Sequence, residues 1–200
     1  VSKLNPTSYS VIPDRIEAGS FAIIAGITRG EVNLLNSNPK DLKAFFKKLK
    51  QTNVKVEVYN NTVKVRGVRE INSVNIQTEP HPGFPTDLQA QFMSLMCIAN
   101  GKSVIEENIF ENRFMHISEL RRMGANLILE GPKIIINGVK EIYGAEVMAT
   151  DLRASSSLII AALMASGKTT INRVYHLDRG YEDLEKKLQN CNVKIRRVSW

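Results

Sequence analysis

Two hundred residues, 43 % hydrophobic and 24 % charged, suffice for a sizeable core and bound the chain to one domain or at most two; we read one, residues 1–200. The net charge of +7 points to an anionic partner, but 6 % aromatic residues, no RNP-type aromatic pattern and no zinc-finger spacing argue against a nucleic-acid platform. The longest apolar run, residues 158–165, falls far below the roughly 18 residues of a membrane span, and Cys97 and Cys191 form no CxxC, so neither a disulfide framework nor a cysteine metal site has support. No apolar signal region follows Val1, and a soluble cytoplasmic protein is expected.

In chain order, Ser10-Val11-Ile12 predicts a short strand and Asp14 a helix cap, accepting from a backbone N–H of the first turn. Residues 21–27 are apolar on every face, so the helix they form must be buried. Residues 31–35 alternate as a strand, and Leu42, Phe45, Phe46 and Leu49 recur at helical spacing with lysines between them, which predicts an outer helix. Residues 54–58 and 62–65 alternate across Asn60-Asn61 as a tight hairpin. The order is β-α-β-α-β-β.

The same order returns twice. A second inner helix runs from Asp87 through Met96, followed by a strand at 103–106, an outer helix at 116–123, and hairpin arms at 127–129 and 134–136 around Gly131-Pro132. A third inner helix spans 151–165, with a strand at 169–172, an outer helix at 181–189 and a strand at 193–195. Each copy opens on an Asp (14, 87, 151) and closes its inner helix near a Gly (30, 101, 167). The interval is too long for an ordinary solenoid, so each copy reads as a supersecondary unit within one globule, with bounds near 9–70, 71–144 and 145–200. The fold class is mixed α/β: three units with buried inner helices and outer sheets and helices. The last hairpin arm is missing, and the unpaired edge predicts a piece of a longer chain.

Gly167-Lys168-Thr169-Thr170 is not a P-loop, because Ala162 stands where the first Gly is required and the segment ends a helix rather than opening one. His81, His116 and His176 share no ligand spacing, so no metal and no cofactor is expected; Cys97, among apolar neighbours, reads as a buried structural thiol. Lys47, Lys48, Lys186 and Lys187 read as solvated helix faces. What remains is the meeting of Asp and Arg at unit junctions: Asp87, Glu111-Asn112-Arg113, Asp151-Leu152-Arg153 and Asp178-Arg179-Gly180. If the units are related by rotation, three helix N-termini converge beside these arginines and favour phosphate or carboxylate, which a planar guanidinium holds in a bidentate way. Capping alone accounts for Asp14, Asp87 and Asp151, and the pattern leaves capping and chemistry both open for Asp87.

The blocks Phe84-Pro85-Thr86-Asp87-Leu88-Gln89-Ala90-Gln91-Phe92, Phe110-Glu111-Asn112-Arg113-Phe114-Met115-His116, Met148-Ala149-Thr150-Asp151-Leu152-Arg153-Ala154-Ser155 and Tyr175-His176-Leu177-Asp178-Arg179-Gly180-Tyr181-Glu182 closely resemble the UDP-N-acetylglucosamine 1-carboxyvinyltransferases, enolpyruvyl transferases of early peptidoglycan synthesis. The resemblance extends over nearly the whole chain and implies the C-terminal one of two similar domains, inactive without the N-terminal half. It implies phosphoenolpyruvate and UDP-N-acetylglucosamine as substrates, with the enolpyruvyl group moving to the sugar 3-hydroxyl. By the same resemblance Asp87 is the general base at that hydroxyl and Ile109 and Phe110 line the UDP-sugar. Arg113, Arg153 and Arg179 face phosphoenolpyruvate and the departing phosphate, and Asp151 lies near the reacting carbons. The family's reactive cysteine, a Lys-Asn pair and further arginines belong to the other domain; Cys97 is no substitute. The alternatives are a non-catalytic anion or nucleotide module and the related 3-phosphoshikimate transferases.

Overall fold

The computed structural model describes residues 3–111 and 113–198; Asn112 of the Glu111-Asn112-Arg113 block lies outside them. Three largely buried helices fill the centre: α1 (Arg15–Thr28), α3 (Gln89–Met96) and α5 (Leu152–Ala162). Every residue of α3 is buried, and so are residues 154–161 of α5. They pack on one another, with α3 and α5 in the longest contact. The strands form β1 (Glu31–Leu34), β2 (Lys55–Tyr59), β3 (Thr62–Arg66), β4 (Ile76–Gln77), β5 (Lys102–Glu106), β6 (Asn126–Glu130), β7 (Lys133–Asn137), β8 (Glu146–Met148) and β9 (Thr170–Asn172). They pair as β1-β3-β2, β4-β5-β7-β6 and β8-β9. The β4-β5 and β8-β9 pairs are parallel and the others antiparallel.

Outside lie α2 (Lys43–Gln51), α4 (His116–Arg122) and α6 (Leu184–Asn190). Leu42, ending the 3-10 turn Pro39–Leu42, and Phe45, Phe46 and Leu49 of α2 face inward, each at most 6 % exposed, as the spacing requires. The hairpins turn where left-handed backbone is available, at Asn60 (φ 51°) and Gly131 (φ 58°). Lys47 and Lys186 are exposed, whereas Lys48 reaches the carbonyl of Asn75 (2.7 Å) and Lys187 pairs with Glu17 of α1 (2.5 Å). The Ser20 and Tyr181 hydroxyls meet at 2.6 Å, and Gln91 Nε2 donates to both. The first and last thirds of the chain are thereby joined through the second.

Two expected strands do not form. Ser10-Val11-Ile12 has no ladder partner, and Val11 and Ile12 are 88 % and 60 % exposed. β4 and β8 show what such a segment needs, since each lies parallel against the strand that follows its inner helix. Alternation supplies a face, but only a neighbour makes a strand. Residues 193–195 are instead folded back on α6: the N–H of Val193 donates to the Leu188 carbonyl (3.0 Å), and Gln189 Nε2 to that of Ile195 (2.7 Å). α6 also starts later than expected, at Leu184, with Asp183 before it in left-handed backbone (φ 47°) and Tyr181 turned inward to reach Ser20. The glycines do not close the inner helices: α3 ends at Met96 and α5 at Ala162, short of residue 165, so that Gly101 and Gly167 take positive φ in the turns beyond, while Arg29 (φ 58°) caps α1 ahead of Gly30. Among the described residues no helix is long and apolar enough to cross a membrane.

Candidate active site

The equivalence expected of the three aspartates is broken. Asp14 caps α1, its Oδ1 accepting from the N–H groups of Ile16 (2.8 Å) and Glu17 (3.0 Å). Asp151 caps α5 in the same way, through Arg153 (2.7 Å) and Ala154 (2.9 Å). Both sit in extended backbone, as a cap must. Asp87 lies inside a 3-10 turn, Thr86–Leu88, with α3 starting two residues later, and caps nothing. Its carboxylate is used elsewhere: Oδ1 accepts from Arg113 Nη2 and from Arg153 Nε, both at 3.1 Å.

Three elements make this meeting. α3 and α5 lie side by side, so the turn entering one faces the first turn of the other, where Arg153 sits. Arg113 comes from the segment between β5 and α4. Its Nη1 donates to Thr86 Oγ1 (2.9 Å), and its guanidinium lies 4.8 Å above the Phe110 ring. The three charged side chains are 15 to 33 % exposed, shielded yet open on one side. Asp87 Oδ2 has no hydrogen bond among the described residues. The two guanidiniums converge on one carboxylate oxygen, and their planar forks can receive an anion.

The remaining predicted residues are placed unequally. Ile109 and Phe110 are 37 % and 54 % exposed on the turn beside Arg113, apolar surface available to a ligand. Asp151 reaches the site through the main chain of Arg153, whose N–H it holds. Arg179 is not brought into the cluster: it is exposed at the end of the 3-10 turn Val174–Arg179 that packs against α5, and makes no ion pair among the described residues. Its neighbour Asp178 is gripped by Arg197 through two bonds, 2.9 and 2.7 Å, which hold that carboxyl below its ordinary value.

Sequence reasoning passed over Thr86, Glu107 and Arg197. Thr86 had a signal, since Thr86-Asp87-Leu88 repeats as Thr150-Asp151-Leu152. Glu107 had none, because a carboxylate at a strand end is by default solvated, whereas this one is 4 % exposed.

Cys97 is fully buried, and burial pushes its thiol up to about 12, which removes it as a nucleophile. Among the described residues no group of His, Cys, Asp or Glu could hold a metal. His116 is 2 % exposed and its Nε2 lacks a partner among the described residues. Burial lowers its imidazole to about 4, Asp151 opposing the shift and Arg113 adding to it. The unfolded chain, with an ordinary value near 6.5, therefore takes up the proton first. Stability is fully present above pH 6.5 and is lost as pH falls toward 4, by at most about 1.4 kcal/mol per pH unit. Urea unfolding across that window should show this loss in the wild type and a flatter profile in His116→Phe; parallel profiles would remove His116 as the cause.

A family model described as EPSP synthase (3-phosphoshikimate 1-carboxyvinyltransferase) matches residues 1–188. A UDP-N-acetylglucosamine 1-carboxyvinyltransferase of Desulfosudis oleivorans is 52 % identical over 199 residues, covering 100 % of this chain and 48 % of that protein. One of the same name from Geotalea daltonii is 54 % identical over 198 residues, covering 99 % and 48 %. Among solved structures, the enolpyruvyl transferase NikO from Streptomyces tendae superposes with a TM-score of 0.85 at 26 % identity, over 93 % of this chain and 44 % of that one. EPSP synthase from Acinetobacter baumannii (TM-score 0.62, 18 % identity, 82 % of this chain and 39 % of that one) shares the fold. The chain spans about half the length of the curated relatives it matches. With the match running from the segment before α1 into α6, and the arginine-flanked Asp87 inside it, the chain belongs to the enolpyruvyl transferase family.

Proposed function

We propose that this chain is the C-terminal half of a UDP-N-acetylglucosamine 1-carboxyvinyltransferase, one domain of three repeated units, acting in the cytoplasm at the start of peptidoglycan synthesis. The observation that carries the reading is the double guanidinium contact on Asp87. In the reaction the sugar 3-hydroxyl gives up its proton, its oxygen bonds to carbon 2 of phosphoenolpyruvate, and the bond from that carbon to the phosphate oxygen breaks. Asp87 takes the hydroxyl proton. Arg113 and Arg153 stabilise charge on the carboxylate and the departing phosphate, as preorganised cations do when charge develops beside them. Asp151 sets the direction of Arg153, and Arg179 joins the phosphate from its exposed position. Ile109 and Phe110 form the apolar wall for the UDP-sugar. The names and identities of the relatives favour this substrate over 3-phosphoshikimate.

While both guanidiniums hold Asp87, the carboxylate oxygen that they contact is occupied. An arriving phosphate and carboxylate offer these cations new partners and free that oxygen to face the sugar hydroxyl.

The rest of the site belongs to the N-terminal domain. Phosphate release from the two substrates is expected when this chain is mixed with a separately made N-terminal half of a relative, and not from the chain alone. Release by the chain alone would overturn the half-site reading.

A further inference from the structure

Glu107 follows directly on β5 and is buried, yet all four groups around its carboxylate are donors. Oε1 accepts from the Thr78 hydroxyl (2.8 Å) and from the N–H groups of Ile109 (2.9 Å) and Phe110 (3.1 Å). Oε2 accepts from the Thr86 hydroxyl (2.9 Å). Thr78 Oγ1 accepts in turn from the N–H of Asn108 (2.9 Å), so each residue from 108 to 110 has its N–H tied to this carboxylate or to its partner. Backbone bonds fix the platform: the N–H of Thr78 to the Glu106 carbonyl (2.9 Å), and that of Glu107 to the Pro132 carbonyl (2.9 Å).

The Thr86 hydroxyl has one proton, and Glu107 takes it. The oxygen is thereby left with only lone pairs toward Arg113, whose Nη1 it accepts at 2.9 Å while Nη2 of the same guanidinium reaches Asp87. We propose that Glu107 is a positioning residue: it fixes the polarity of the Thr86 hydroxyl, and so the aim of Arg113 at the substrate anion, while shaping the turn that presents Ile109 and Phe110. This rests on the reading of the site as an enolpyruvyl transferase half-site. It explains why a carboxylate, and not its amide, occupies the position. Glutamine would place an NH2 against Thr86 Oγ1, turning the hydroxyl proton toward Arg113, a donor facing a donor.

The test uses the full-length enzyme with phosphoenolpyruvate and UDP-N-acetylglucosamine. Glu107→Gln is expected to lower kcat/KM by about 10- to 100-fold, the scale on which small misplacements of binding groups act. Thr86→Val, which removes the hydroxyl without adding a donor, should produce a similar loss. Combining the two should add nothing further, because both act on one relay. A purely structural Glu107 would lower the melting temperature in either background and multiply its kinetic effect with that of Thr86→Val. Multiplied effects, or an unchanged kcat/KM in either single variant, overturn the proposal; Thr86→Val alone decides it if Glu107→Gln does not fold. Wild-type phosphate release separates the two ideas, since its absence counts against the assigned reaction and its presence beside unaffected variants counts against Glu107 alone.

Discussion

Asp87→Asn in the full-length enzyme is expected to lower kcat by about 10²- to 10⁴-fold, the range for loss of a general base, and to leave the fold intact. The side chain keeps its size and lies outside the apolar core, a third exposed in a turn whose backbone bonds do not involve it. An amide oxygen in the place of Oδ1 can still accept from both guanidiniums, with the NH2 at the unbonded Oδ2 position, so what is lost is the charge and the capacity to take a proton. With all three groups partly solvated, the stability change should stay within about 1 kcal/mol. Steady-state phosphate release beside a melting curve checks both halves. Asp14→Asn is the internal control: it alters the matching position of the first copy, where Asn caps as well as Asp does, so neither turnover nor melting should move. Unchanged turnover in Asp87→Asn would remove it as the base.

The largest stability effect is expected at Gly138. This residue follows β7 and passes so close to the end of α3 that a Cβ built on it collides with the backbone carbonyl of Ala99. Backbone bonds hold both sides of the contact, from the N–H of Gly138 to Gly101 (3.0 Å) and from that of Val139 to Cys97 (2.8 Å). Gly67 is its counterpart after β3: its Cβ would lie 2.6 Å from Arg29 Cα and 2.9 Å from the Gly26 carbonyl oxygen, and its N–H donates to Gly30 (2.8 Å). Backbone cannot swing aside as a side-chain tip can. Gly138→Ala should therefore cost about 3 kcal/mol, the upper part of the overpacking range, and lower the melting temperature of this chain by about 6–12 °C. Gly131→Ala separates crowding from backbone strain: no atom lies within 4 Å of its Cβ and only the positive φ is penalised, so about 1 kcal/mol is expected. Equal melting temperatures for Gly138→Ala and the wild type would mean that the end of α3 can withdraw from β7.

The first inner helix was legible because the continuous apolar residues 21–27 leave no face for water, the other two because they repeat its place after an Asp, and the hairpins because Asn60-Asn61 and Gly131-Pro132 offer the backbone a turn it can take. The unformed strand at Ser10-Val11-Ile12 was not, since a ladder depends on a neighbour that no local pattern encodes. Residues 193–195 went the same way, captured by α6. At the site, arginines near Asp87 were foreseen, but not that Asp87 would differ from Asp151. Thr-Asp-Leu is written identically at 86–88 and 150–152, yet one copy turns as a 3-10 helix and the other caps. The difference lies in where α3 begins, two residues after Asp87, so the carboxylate leaves its own helix and finds cations from α5 and the β5–α4 segment. Glu107 was hidden for a related reason: a buried carboxylate is defined by donors from residues 78, 86, 109 and 110, which only the folded chain collects.

The Tyr181 hydroxyl, 161 residues along the chain from Ser20, has a bearing on how the molecule comes apart. In a linear stack the terminal segment has one neighbour and frays first, so hydrogen exchange is fastest at the ends and slows inward. Here α1 and α6 are tethered by Glu17 and Lys187, and Ser20, Gln91 and Tyr181 share one polar knot among the central helices. A ring has no outermost member. The amides of α1, α3 and α5 should exchange together, through one global opening, with no gradient along the sequence.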